Sequence, residues 1–350
     1  MSIGSRILRA RKGANLSQRE LAERMGLSAM MISKYENDQS VPDSAMLLRF
    51  SEALKIKPDY FFRPDSFSVE LLAYRKHVRL GQKKLEAIKI HIQDWLERYL
   101  EVEDFFPQEK IQISLPTYPV ETIEDIEVVI NNLRKTWHLG LDPIENLIQL
   151  LEDKGLKVGL VSGYDDFDAC TFTFDGNLVI ASKSEISGDR QRFNVAHELG
   201  HLILECHPDL NHEKAANRFA GALLVPDEQV LYELGTLRND LDMRELYLLK
   251  HKYGLSMQAW IYRAKDLKII SQSTFVQLNK RFRSKHWHRQ EPGDPYPTEQ
   301  PVRMEKLIYR ALSEDLITRS KAQELLRSPL RPWWDMEALQ PKDASITAGY

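Results

Sequence analysis

The chain holds only two cysteines in 350 residues, Cys170 and Cys206, too few for a disulfide framework. It also lacks any apolar run near the roughly 18 residues that a membrane-spanning helix needs. The opening MSIGSRILRARKG has no apolar core of the signal-peptide kind. Internal repeats and low-complexity tracts are missing too, and a 43% hydrophobic content excludes wholesale disorder. These absences leave a soluble, cytoplasmic globular protein that does not engage a membrane as the expectation. At this length one core gives way to two or three domains.

An excess of either charge is missing as well, with a formal net charge of −3. The balance is uneven, however. Residues 1–63 carry 11 Lys/Arg against 7 Asp/Glu, which leaves 37 against 44 for the remainder. A mildly basic end on an acidic body fits a nucleic-acid module joined to something else.

That end reads as short helices with tight punctuation. Ser17 caps SQRELAERM, and Glu20 three residues on completes a capping box. Gly26 stops the helix, Leu27 and Ser28 make the turn, and AMMISKYEN follows. Pro42 and Asp43 open another helix, in which Met46, Leu47, Phe50 and Leu54 recur at helical spacing. Helix, turn, helix is the arrangement that lays a second helix in the major groove of DNA. Leu21, Ala22, Met25, Leu27 and Ile32 lock the pair together. Ser28, Ala29, Met30, Ser33 and Lys34 then face the base edges, with Gln18 and Lys34 placed for phosphates. SQ..LA...G.S...IS..E, with the later P....L......L, resembles the Xre family of Cro-like helix-turn-helix domains over about residues 3–63. The partner expected is a double-stranded operator, and since one such domain contacts one half-site, a homodimer is expected with it.

Residues 67 to about 106 read as a long charged helix whose Leu85, Ile88, Ile92, Trp95 and Leu96 form an apolar stripe. LKVGLVSG, ACTFTF and NLVIAS read as strands, the last two joined by a hairpin at Asp175-Gly176. EPGDPYPTEQP (291–301) has the composition of a linker. ALSEDLITRSKAQELL reads as two helices about a turn, and Trp333-Trp334 as a clamp or docking point in the tail.

RQRFNVAHELGHLILE carries the chemistry. His197 and His201 stand four apart, so a helix puts both on one face within reach of one zinc ion. Glu198 is offset by one residue, away from ligation and towards an open position beside the metal. There it can take a proton from the attacking water and hand it to the leaving amine. Gly200 allows close packing. Cys206, His207, Asp209, His212 and Glu213 are candidates for the third ligand. Glu213 stands out because it begins a second apolar-sided helix, HEKAANRFAGALLVP, with His212 its main competitor. Asn217, one turn on, can orient a ligand from behind. Cys206 near the metal, and His251, Tyr262 and Arg263 on later helices, are better read as packing residues than as chemistry.

FNVAHELGHLIL followed by EKAANRFAGALLVP resembles the ImmA/IrrE family of zinc metallopeptidases, and the likeness extends over roughly 130–270. Carried over position by position, the resemblance implies His197, His201 and Glu213 as zinc ligands and Glu198 as general base. The fold expected is multidomain: an all-α helix-turn-helix domain (1–63), a helical connector (64–125), and a mainly helical α+β zincin-like peptidase domain with a small β-sheet (126–270). A linker and helical extension complete it (271–350). The function implied is a DNA-binding transcriptional regulator whose endopeptidase cleaves a regulatory protein such as a repressor. The alternative is an antitoxin-like repressor whose zinc domain binds a partner toxin without cutting it.

Overall fold

Four short helices open the chain, each cut where a capping residue stands: α1 (Ile3–Gly13), α2 (Gln18–Met25), α3 (Ala29–Glu36) and α4 (Ser44–Leu54). In this computed structural model, residues 2–62, 69–71 and 81–330 are described, so Trp333-Trp334 lie outside the described residues. Ser17 and Glu20 form the reciprocal capping box, and Gly26 ends α2 at φ +61°. Ser28 and Asp43 accept the N–H groups of Met31 and Met46, and such caps contribute about 1 kcal/mol each. Ile7, Leu21, Ile32 and Phe50 close the core between them. Beneath it Arg11 grips both oxygens of Glu36 and the carbonyl of Leu16, a buried anchor joining α1 to α3.

The long helix expected from residue 67 is shorter. Residues Val69–Leu71 are a strand, β1, and the helix α5 runs over Gln82–Glu103. Isolated apolar residues among charges are ambiguous between the two conformations over so short a stretch. α5 receives the first domain: Arg6 and Arg9 of α1 both bond the carboxylate of Glu97.

After α5 come β2 (Tyr118–Val120), α6 (Asp125–Thr136), α7 (Leu147–Asp153), β3 (Lys157–Val161), β4 (Ala169–Phe174) and β5 (Asn177–Lys183). The chain continues through α8 (Gly188–Ile203), β6 (Leu204–Cys206), α9 (His212–Leu224), α10 (Asp227–Leu234) and α11 (Met243–Tyr253). It then forms α12 (Met257–Asp266), α13 (Gln272–Ser284), α14 (Arg303–Ser313) and α15 (Arg319–Leu326). No helix among the described residues is long and apolar enough to cross a membrane.

Four strands make one sheet in the order β1-β4-β5-β3, with β3 and β5 parallel and the other pairs antiparallel. Asp175 and Gly176 both take positive φ, 46° and 79°, the geometry that a two-residue hairpin with right-handed strand twist requires. β2 and β6 pair in parallel as a separate ribbon.

The sheet has helices on both faces, and strand alternation sorts its residues between two cores. Val158, Leu160 and Ile180 pack with α6 to α9, α11 and α12. Cys170, Phe172, Phe174, Val179 and Ala181 pack on the other side against α5, α14 and α15. Helix α5 and the last two helices, α14 and α15, therefore meet across one core.

Residues 291–301 do not behave as the linker that their composition suggests. Glu299 accepts the amide of Ile148 and pairs with buried Arg192, while its backbone exchanges hydrogen bonds with the Gln191 side chain. Glu291 accepts the amides of Met257 and Gln258 at the start of α12 and pairs with Lys250. The segment is a strap whose acidic residues satisfy helix N-termini, which Pro/Gly content does not reveal.

Glu152 fastens α14 similarly, accepting the amides of Val302 and Arg303. Burial pushes its carboxyl from the ordinary 4.5 up to about 7. The folded chain therefore holds this proton more tightly than the unfolded chain does. The resulting stabilisation is full below about 4.5 and lost as pH rises through about 7. In urea unfolding from pH 5 to 8, Glu152→Gln should show a shallower loss of stability than the native chain. Parallel curves for the two proteins would refute this.

Candidate metal centre

α8 turns its apolar side inward with Val195, Ala196, Leu199 and Ile203, all fully buried, so His197, Glu198 and His201 are displayed along one flank. α9 crosses close beside it. A Cβ on Gly200 would stand 3.0 Å from the Phe219 ring and 3.3 Å from the Ala216 Cα, so glycine permits the two helices to approach. That approach sets Glu213, in the first turn of α9, opposite the two histidines.

His197 Nε2 and His201 Nε2 are 3.1 Å apart. Glu213 spans both, with Oε2 3.4 Å from His197 and Oε1 3.4 Å from His201. Ligand atoms set about 2.1 Å from a tetrahedral zinc ion lie roughly 3.4 Å from one another; each imidazole has a carboxylate oxygen at that spacing, and one donor atom from each residue lies within 4.8 Å of the other two. Asn217 Oδ1 lies 3.0 Å from His197 Nδ1. Accepting from that nitrogen fixes the tautomer in which Nε2 is a bare lone pair facing the triad. Two nitrogens and one carboxylate, with His201 buried and its companions half-buried, suit zinc better than a hard, oxygen-seeking cation.

Glu198 takes no part in the triad. Its Oε2 accepts a hydrogen bond of 2.8 Å from the hydroxyl of Thr171 on β4. Burial, together with the nearby charge of Glu213, raises its carboxyl from 4.5 to about 7 despite that bond. A carboxyl in this range can both take and return a proton near neutrality. Thr171 was not among the expected site residues. The alternation in ACTFTF carried the signal: with Cys170, Phe172 and Phe174 facing the core of α5, α14 and α15, Thr171 and Thr173 must face the opposite side, where α8 lies.

The remaining candidates fall elsewhere. His212 is exposed at the start of α9 and does not join the cluster, and His207 pairs with Asp209. Cys206 is half-buried on β6. Tyr262 sits edge-on to Phe275, His251 stacks on Tyr247, and Arg263 is buried on Glu127.

In the first domain Ser28, Ala29, Met30 and Lys34 are exposed, Met30 at 69%, and Ser33 is half-covered. Ser28 spends its hydroxyl on the α3 cap, and Ser33 accepts from the Asn37 amide. Gln18 is half-buried and donates to Glu36 at 2.7 Å, so its side chain is partly committed to the Arg11–Glu36 anchor.

Two family models match the chain: a helix-turn-helix over residues 7–61 and an IrrE N-terminal-like domain of the M78 peptidases over residues 159–265. The HTH-type transcriptional regulator ImmR of Bacillus subtilis (strain 168) is 35% identical over 68 residues, 19% of this chain and 54% of that protein. Repressor protein C2 of Salmonella phage P22 is 30% identical over 83 residues, 24% of this chain and 38% of that protein. The cryptic phage CTXphi transcriptional repressor RstR of Vibrio cholerae serotype O1 is 26% identical over 102 residues, 28% of this chain and 91% of that protein. The chain thus spans about half the length of ImmR and less of C2.

Proposed function

We infer that this chain, which joins an Xre-type helix-turn-helix domain to an IrrE-like domain of the M78 peptidases, is a DNA-binding transcriptional regulator carrying a zinc-dependent endopeptidase. Its substrate is a regulatory protein such as a repressor. The observation that carries the reading is the triad of His197, His201 and Glu213 with Glu198 set beside it on Thr171. The names of ImmR, C2 and RstR support the DNA-binding half.

Zinc, when bound, supplies a Lewis acid that polarises the peptide carbonyl and makes water acidic enough to attack at neutral pH. His197, His201 and Glu213 would hold it, with Asn217 keeping the His197 ring in place. Glu198 accepts the proton of the attacking water and returns it to the leaving amine nitrogen. The Thr171 hydroxyl occupies Oε2, which leaves Oε1 to carry that proton. The exposed N-terminal turn of α3 reads the operator, and a homodimer presents two copies to its half-sites.

The test is metal content, promoter footprinting and incubation with repressors encoded beside the gene. One zinc per chain, lost in His197→Ala, is expected together with promoter protection and scission of one repressor. Metal below stoichiometry and indifferent to His197→Ala would sink the centre. Tight toxin binding without scission would move the function to a non-proteolytic antitoxin.

A further inference from the structure

From Gln272 to Gln290 the chain has no acidic residue, yet it carries Lys280, Arg281, Arg283, Lys285 and Arg289, with His286 and His288 between them. This is a concentrated exception in a region, beyond residue 63, where acids outnumber bases 44 to 37. All seven side chains are exposed. Arg281 reaches Asp240 at 3.3 Å, and the other four cations make no ion pair with a described residue.

The backbone that bears them is firmly held. Leu278 and Phe282 are fully buried on the inner side of α13, and half-buried Trp287 packs edge-on to Phe282 with centroids 5.6 Å apart. The turn after the helix is closed by amides of Lys285, His286, Trp287 and Arg289, each donating to a carbonyl earlier in the segment. The aromatic pair thus pins the turn to the core, and the cations point outward from a fixed platform.

Cations at a helix C-terminus also offset the helix dipole, and Arg281 and Arg283 in the last turn do so. That effect fades within one turn. It reaches the C-cap Lys285 but gives no reason for His286, His288 and Arg289, which lie beyond it. Three of the five cations are arginines, whose planar forks match phosphate oxygens in pairs.

We propose that this cationic turn is a second contact for duplex DNA, binding the phosphate backbone without reading sequence. The proposal rests on the DNA-binding reading of the first domain in one respect only: DNA held there meets the turn at high effective concentration. Contacts to phosphate fix register and add affinity, and they show themselves through release of counterions.

The experiment uses the full chain and a fluorescent duplex of scrambled sequence, with affinity read by anisotropy across a potassium chloride series. One variant combines Lys280→Ala, Arg283→Ala, Lys285→Ala and Arg289→Ala, leaving Arg281 on Asp240. Another places Ala29→Glu and Met30→Glu on the exposed start of α3. The first variant should lower the slope of log affinity against log salt by about 3 and weaken binding at low salt at least roughly tenfold. Its melting temperature should match the native chain, because all four side chains are exposed. Unchanged slope and affinity would overturn the proposal while leaving the first domain's role intact. Binding that survives the α3 variant but not the turn variant would support the turn and count against α3. Absence of binding by the native chain at low salt would overturn both. Competition by polyglutamate as strong as by DNA of equal charge would assign the turn to an acidic protein, against the proposal.

Discussion

Glu198→Gln is expected to keep the metal and to lose peptide cleavage by about 10²- to 10⁴-fold, the usual contribution of a positioned acid–base group. The substitution preserves shape, and the amide oxygen can still accept from Thr171, so the helix flank and the triad are not disturbed. It removes a carboxyl beside the triad that can take a proton from water. Zinc content measured alongside turnover of the physiological substrate separates the two effects. Unaltered turnover with full zinc would place the base on another residue. Parallel loss of zinc would show that Glu198 supports the ligands rather than the proton transfer.

The largest effect on stability is expected at Glu127, which is not a member of the metal cluster. This carboxylate on α6 bonds both terminal nitrogens of Arg263 on α12 and the Nε of Arg218 on α9. Burial pushes its carboxyl up, but the two arginines outweigh that and hold it below the ordinary 4.5. Glu127→Ala leaves the buried Arg263 without its carboxylate and Arg218 with Asp266 alone, and breaking such a buried pair costs about 3–5 kcal/mol. The linkage runs opposite to that of Glu152. Its support is full above 4.5 and disappears as pH falls through the depressed value. Urea or thermal unfolding of Glu127→Ala at neutral pH checks the magnitude, and an unmoved midpoint would contradict it. Arg218 neighbours Asn217 on α9, so loosened zinc retention should accompany the loss.

Local chemistry explains what could be read beforehand. The cap at Ser17, the helix opening at Asp43 and the stop at Gly26 act within a few residues, and α2 and α4 begin or end where they stand. HELGH and the following helix were equally legible, since four-residue spacing on a helix is geometry in itself. The convergence of Glu213 on both histidines adds what spacing alone left open between it and His212. Thr171 was visible in principle through strand alternation. The parallel pairing of β3 with β5 was not, because the partners are separated by a hairpin and nothing local distinguishes register. Residues 291–301 were misleading for a different reason. Proline and glycine report backbone freedom in isolation, whereas Glu291 and Glu299 find partners such as Lys250 and Arg192 that lie far away in sequence.

The order in which the chain emerges during synthesis gives the second core a distinct history. Among the described residues, the buried core of the first domain ends at Phe61, and that around the metal centre at Phe282 with Trp287 packed on it. The core shared by α5, the far face of the sheet and the last two helices draws on residues from Ala87 to Leu325. The part of this core that α14 and α15 cover, between α5 and the far face of the sheet, is therefore closed only after those last two helices have been made. A chain cut short before α14 is expected to leave this apolar surface exposed and to aggregate through it.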